Sequence, residues 1–371
     1  MSTKFLLSIL SLIFTMEIAM SQIPDHTANA RQFGAVGDGR TDDTAALQKA
    51  LDSGQRTIHV PEGVYVIRRT LLIGSDTTLS LDKGAVIRLG DGAAAAAGGD
   101  CFLIRNRDVE NGNENITVDG GVWDGNCAKN PRGEEYAKDS YGGVGMSFVQ
   151  VRKLTVRNVT MRNNESFAIR VGEVDRFLIE NVLLNHTVIR PNQDGIHVGG
   201  FSENGVIRNI SAKGAGVPND DMVALNADDD VTRHFNRGMK LGPIRNILVE
   251  NISAEDAYTF VRLLSNTSPI RDITIRKIRG GCRMYCLNLN RWRFPKGRGN
   301  IANVLVEDVK VAKKPGNSLP LIPVTLSVRN MRIRNFVRTD HDDKAKTLLI
   351  DDSIDAELSV DIRRAEKNQP E

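Results

Sequence analysis

Two short motifs carry three aspartates: Asn192-Gln193-Asp194-Gly195 and Asn219-Asp220-Asp221. Paired carboxyls suit a reaction that needs a proton donor beside an ionised acceptor, because like charges held close push one pKa upward. Cleavage of a glycosidic bond uses such a pair. Close carboxyls titrate together, so no single pKa belongs to one of them. The same residue types also make ordinary turns. What separates a site from two turns is whether the fold brings the motifs together.

A repeat supplies that fold. One pattern (apolar, any, apolar, charged, Asn or similar, apolar) appears as Leu154–Val159, Phe177–Val182, Gly205–Ile210, Ile247–Ile252, Ile273–Ile278, Val304–Val309 and Met331–Phe336. The starts are 23, 28, 42, 26, 31 and 27 residues apart. A period near 25 with strand-type alternation marks a solenoid. Positions one and three point inward and the charge at position four points out. The Asn turns the chain, since Asn tolerates left-handed backbone angles. No leucine-based consensus with a helical return is present, so the expected fold is all-β, a right-handed parallel β-helix. Its open ends need caps. Residues about 41–53, with a stripe at Leu47 and Leu51, predict an N-terminal capping helix.

A second strand lies between the copies: Ala168–Val171, Gly195–Val198, Met222–Leu225, Phe260–Leu263 and Cys286–Leu289. In this register Ile169, Ile196, Val223, Val261 and Leu287 stack in one column. Asp194 and Asp221 then share another, each just before its strand and about 4.8 Å apart at the backbone. Asp220, one step earlier, projects differently. Arg170, His197 and Arg262 fall in one outward column. Arg262 has forked donors suited to a carboxylate or to sugar hydroxyls. The plainer readings are a packed histidine at His197 and a solvated charge at Arg170.

Ala30–Thr44 followed by Val60–Tyr65 resembles the entrance of pectin-lyase-like β-helix proteins, which include hydrolases, lyases and phage tailspikes. The motifs Asn192-Gln-Asp194 and Asn219-Asp220-Asp221 more specifically resemble those of family 28 glycoside hydrolases, the polygalacturonase group. That resemblance implies Asp220 as general acid, with Asp194 and Asp221 positioning and deprotonating the attacking water. The outcome would be inversion, with roughly 6.5–9.5 Å between acid and base. It also implies Arg262 as a substrate-holding arginine, and Asn192, His197 and Arg170 complete the expected substrate-binding set. The family's Lys, two residues after that arginine, is Leu264 here, and its Gly-His-Gly coil is missing. His234 lies in the interval where that coil would fall. These departures open the substrate to neutral or differently charged plant or algal glycans. The alternatives are a polysaccharide lyase or epimerase on the same fold and a non-catalytic glycan-binding β-helix.

The rest of the chain bounds this reading. With 49 Lys+Arg against 46 Asp+Glu the net charge is +3, which argues against a nucleic-acid binder. Lys4, the apolar run Phe5–Met20 and Ala19-Met20-Ser21 predict a signal peptide over residues 1–21, hence a secreted or periplasmic protein. Residues 22–371 read as one β-helix domain, a monomer without membrane insertion, acting on a polysaccharide or oligosaccharide. Export permits the disulfides Cys282–Cys286 and Cys101–Cys127, against four buried thiols. No cofactor is expected. Asp228–Asp230 offers a weak Ca²⁺ candidate but reads better as a solvated loop bordering the groove. Ala93–Ala97 reads as a flexible insertion rather than a helix with a face. Trp123 and Arg291-Trp292-Arg-Phe294 are sugar-stacking candidates. The Asn-x-Ser/Thr sites at Asn115, Asn158, Asn209 and Asn251 mostly fall on turn asparagines. Endo or exo attack depends on loops in the long intervals 116–154 and 205–247.

Overall fold

The seven repeat copies stack rung upon rung. Leu154 pairs with Phe177, Phe177 with Gly205, Gly205 with Ile247, Ile247 with Ile273, Ile273 with Val304, and Val304 with Met331, every pairing parallel. The protein, described over residues 27–137 and 139–366 by a computed structural model, is a right-handed parallel β-helix. Alternation alone explains the core: Leu154, Val156, Phe177, Ile179, Ile247 and Val249 are buried, while the charges at position four face out. Position one of the third copy is Gly205 for a steric reason. The Phe177 ring fills its place, and a β-carbon there would lie 2.1 Å from the ring edge.

The fifth position turns the chain. Asn158, Asn181, Asn209, Asn251, Lys277, Asp308 and Asn335 all have φ between 48° and 59°. The asparagines also bond along the axis. The amide of Asn181 donates to Asn158 at 2.9 Å, Asn209 to Asn181 at 2.9 Å, and Asn251 to Asn209 at 2.8 Å. The glycosylation-type asparagines 115, 158, 209 and 251 are thus all left-handed turn residues.

The second stack follows the expected columns. Ile169 pairs with Ile196, Ile196 with Val223, Val223 with Val261, and Val261 with Leu287. One apolar core runs through all the coils. The N-terminal helix is shorter than its expected 41–53 span and covers Thr44–Leu51. Thr41 and Asp42 end a strand over Asp38–Asp42, and the Asp43 carboxylate accepts from the Val36 and Gly37 amides, which pins the preceding loop. Leu47 and Leu51 are buried against the first coils. Ala93–Ala97 corrects the flexible-insertion expectation: it forms a short helix with Ala93 and Ala94 buried, and Asn130 Oδ1 accepts from the Ala94 amide at 3.0 Å.

All four cysteines are free and buried. Burial pushes the Cys101 and Cys127 thiols up to about 11 and Cys282 to about 12, which makes them unreactive packing groups. The predicted signal peptide lies outside the described residues. Among those described, no helix is long and apolar enough to cross a membrane.

Candidate functional site

The strands Ile169–Gly172, Ile196–Val198, Asp221–Asn226 and the end of Ile244–Leu264 lie side by side. Their outward column is Arg170, His197, Ala224, Arg262. Just before two of these strands, the Gly195 amide donates to the Asp221 carbonyl at 2.9 Å, which sets Asp194 and Asp221 on adjacent rungs. Gly195 permits that approach: a β-carbon there would meet the Met222 carbonyl oxygen at 2.5 Å. Asn192 turns left-handed, with φ 58°, and its amide nitrogen lies 3.3 Å from Asp220 Oδ2. Its carbonyl accepts from Arg132 at 3.1 Å. Gln193 is locked beneath, donating to the carbonyls of Asn164 and Val188.

Asp194, Asp220, Asp221, Asn192, His197 and Arg262 all line one cavity of about 230 Å³. Asp194 and Asp221 are buried in its floor, and Asp220 is the partly accessible carboxyl of the three. Burial raises all three pKa values. Asp220, Asp221 and Asp229 push Asp194 further up. Asp221 is pushed up to about 8 by burial and then by Asp220, against Arg262. For Asp220, Arg262 and Arg233 oppose the burial. The buried Nε of the Arg262 guanidinium has no hydrogen-bond partner among the described residues. The guanidinium faces the acids with that donor to spare.

His197 is held rather than free for a ligand. It is buried, its ring stacks on Phe167 at 4.0 Å, Nδ1 lies 2.9 Å from Asp194 Oδ2, and Nε2 lies 3.5 Å from Asp229. Burial depresses its pKa to about 4. Arg170 departs from both readings made for it. It lies outside this cavity's lining and is buried, with Nε and Nη2 on Ser147 Oγ and Nη1 donating to the Phe235 carbonyl at 2.6 Å. The segment carrying Phe235 folds over its rung and removes it from solvent. His234 also sits outside the cavity, with Nδ1 2.8 Å from Ser140 Oγ.

The three aspartates 228–230 diverge. Asp228 accepts from the Asn266, Thr267 and Ser268 amides, Asp229 faces His197 and Arg233, and Asp230 accepts from Thr232. Among the described residues no cluster of three His, Cys, Asp or Glu has a metal-holding arrangement. Burial raises the Asp229 pKa, but His197, Arg233 and hydrogen bonds from the Asp230 amide and Asn236 together bring it below the ordinary carboxylate value. Trp292 lines the cavity, whereas Trp123 is packed in the core with Nε1 donating to the Gly120 carbonyl. Glu135 and Arg233 line the cavity without being anticipated, and Asp229 reaches it from the acidic run expected beside the groove, buried rather than solvated. They come from irregular segments that no repeat register predicts.

Residues 27–283 match the family model for "Rhamnogalacturonase A/epimerase, pectate lyase-like". A putative phage-related protein, YobO, of Bacillus subtilis is 36% identical over 127 residues, covering 31% of this chain and 15% of that protein. A peach (Prunus persica) polygalacturonase is 22% identical over 311 residues, covering 80% of this chain and 72% of that one. The chain spans 15–22% of the length of the phage-type relatives that it matches. Among solved structures, the iota-carrageenase of A. fortis superposes with a TM-score of 0.62 at 14% identity, covering 93% of this chain and 88% of that one, a likeness of fold. The chain therefore belongs to the rhamnogalacturonase A/epimerase, pectate lyase-like family, within the pectin-lyase-like β-helix proteins and with a polygalacturonase-like pattern.

Proposed function

We propose that the protein is a secreted glycoside hydrolase that cleaves a pectin-like or other plant or algal polysaccharide with inversion, without a cofactor. The observation that carries this reading is the convergence of Asp194, Asp220, Asp221 and Arg262 on one cavity. Asp220 is the carboxyl that an entering sugar meets first, and it is raised by burial, as a general acid must be. Asp194 and Asp221, one rung apart in the floor, do not both ionise readily. They share a proton, and the remaining charge activates water on the face opposite the leaving group. Arg262 holds the sugar through a carboxylate, a sulfate or hydroxyls. Asn192 fixes Asp220, and His197 fixes Asp194. The polygalacturonase relative supports the reaction class.

The decisive experiment incubates the protein with polygalacturonate, rhamnogalacturonan and iota-carrageenan and follows the anomeric configuration of new reducing ends by NMR. Inverted product from one of them supports the reading, and retained configuration or no product removes it. The family also groups epimerases and lyase-like proteins. A lyase would give an unsaturated product absorbing in the ultraviolet without adding water, and that absorbance would replace the hydrolase reading.

A further inference from the structure

The cavity floor belongs to a column of rungs that runs on past the site, yet the trough does not. One rung toward the N-terminus from His197 stands Arg170, which is buried. What covers it is a second, separate apolar cluster on the outside of the sheet: Phe102, Val144, Phe167 and Phe235. Phe235 comes from the interval 205–247, and its ring meets Phe167 edge-on at 4.9 Å, the same Phe167 that stacks on His197. Its carbonyl is tied to Arg170 at 2.6 Å. A glycan lying along the column meets this plug one rung beyond Asp194.

The side walls are tied as well. The Arg233 guanidinium lies 4.1 Å from the Phe235 ring centre and 5.8 Å from that of Trp292, and it pairs with Glu135. Arg293 Nη1 donates to the Tyr136 hydroxyl at 2.8 Å across the rim. His234 anchors the same segment through its amide on the Glu135 carbonyl at 2.8 Å. Segments from both long intervals thus close over one side of the aspartates. The cavity, open on its outer side, holds about 230 Å³, below the roughly 300–1,000 Å³ of ordinary small-molecule sites.

We infer that the site is a pocket closed at its N-terminal end, which takes the end of a glycan chain rather than an internal stretch, with Phe235 and Arg233 as the residues that impose this. The inference rests on the glycan reading above but not on catalysis.

Two measurements test it. First, an Asp220→Asn protein is titrated calorimetrically with size series (dimer to octamer) of oligogalacturonate, rhamnogalacturonan and iota-carrageenan oligosaccharides. Affinity should stop improving, within about twofold, beyond a trimer. Affinity that climbs through the octamer overturns the pocket, and no binding in any series overturns it together with the glycan reading. Second, wild-type protein acts on the polymer of the bound series while viscosity and reducing ends are followed. Short products with slowly falling viscosity support the pocket, and an early collapse of viscosity overturns it. A chain-end binding profile with an inert wild type would sink the hydrolase reading alone. Phe235→Ala should restore length-dependent affinity. If that variant does not fold, the two measurements above, both made with Phe235 in place, still decide.

Discussion

His197 Nδ1 and Asp194 Oδ2 share a hydrogen bond at 2.9 Å, within one short coil and beneath the stacked ring of Phe167. With Asp229 at 3.5 Å on its other nitrogen, the imidazole fixes where the Asp194 carboxyl points. Replacing it with Ala should lower kcat roughly 10²-fold with little change in KM, because a small misplacement of a reacting group costs that much. His197→Asn, whose amide reproduces the Nδ1 donor, should recover part of the loss. Equal losses in both variants would make the histidine simple packing.

The buried Nε of Arg262 has no hydrogen-bond partner among the described residues, and its charge lowers the pKa of Asp220 and Asp221. Arg262→Gln removes a charged donor worth about 1.5–3 kcal/mol to a charged ligand. KM should rise roughly 10–100-fold by that figure. The acidic limb of the pH–rate profile should also move to higher pH, because losing a nearby cation raises carboxyl pKa values. A KM change without this pH shift would detach Arg262 from the acids.

The buried acids make stability depend on pH in an unusual direction. Burial and Asp220 push the Asp221 carboxyl up to about 8 in the fold, against 3.8 in an open chain. The fold therefore holds a proton that the unfolded chain releases, and this stability, present below about pH 3.8, is lost as pH rises toward about 8. His197, lowered from 6.5 to about 4, acts in the opposite sense between those values, so the clean window is pH 6.5 to 8. Across it the melting temperature of the wild type should fall. Asp221→Asn should flatten that slope and be the more stable protein at the upper end by about 1–2 kcal/mol. A variant that loses stability equally at both ends would contradict the raised pKa.

The asparagine ladder is the solenoid's own signature. Asn209 donates to Asn181, accepts from Asn251, and has φ 57°. Asn209→Ala removes both bonds and puts alanine in the left-handed region. It should cost roughly 1–2 kcal/mol in urea unfolding. A neutral result would assign the turn to the backbone alone.

The coils were legible because each rung repeats one solved problem. Alternation names the inward residues, and Asn is among the few non-glycine residues at ease in the turn. That is why aligning Ile196 with Val223 from sequence already set Asp194 beside Asp221. Arg170 was illegible for the converse reason. Its column marks the outer face, but whether that face is wet depends on Phe235, far along the chain in a segment with no period. Glu135 and Arg233 reach the cavity from the same kind of segment, so their types and spacing held no cue, whereas the acidic run Asp228–Asp230 did mark the loop that carries Asp229. The helix at Ala93–Ala97 was hidden because an alanine run has no polar face to show which side packs.

The most direct test of the account is the turnover of Asp220→Asn on the polysaccharide that the wild type cleaves, measured beside its melting temperature. The account predicts a loss of roughly 10²–10⁴-fold or more, the usual range for removing a general acid, with the melting temperature retained. A folded Asp220→Asn protein that turns over at the wild-type rate would contradict it.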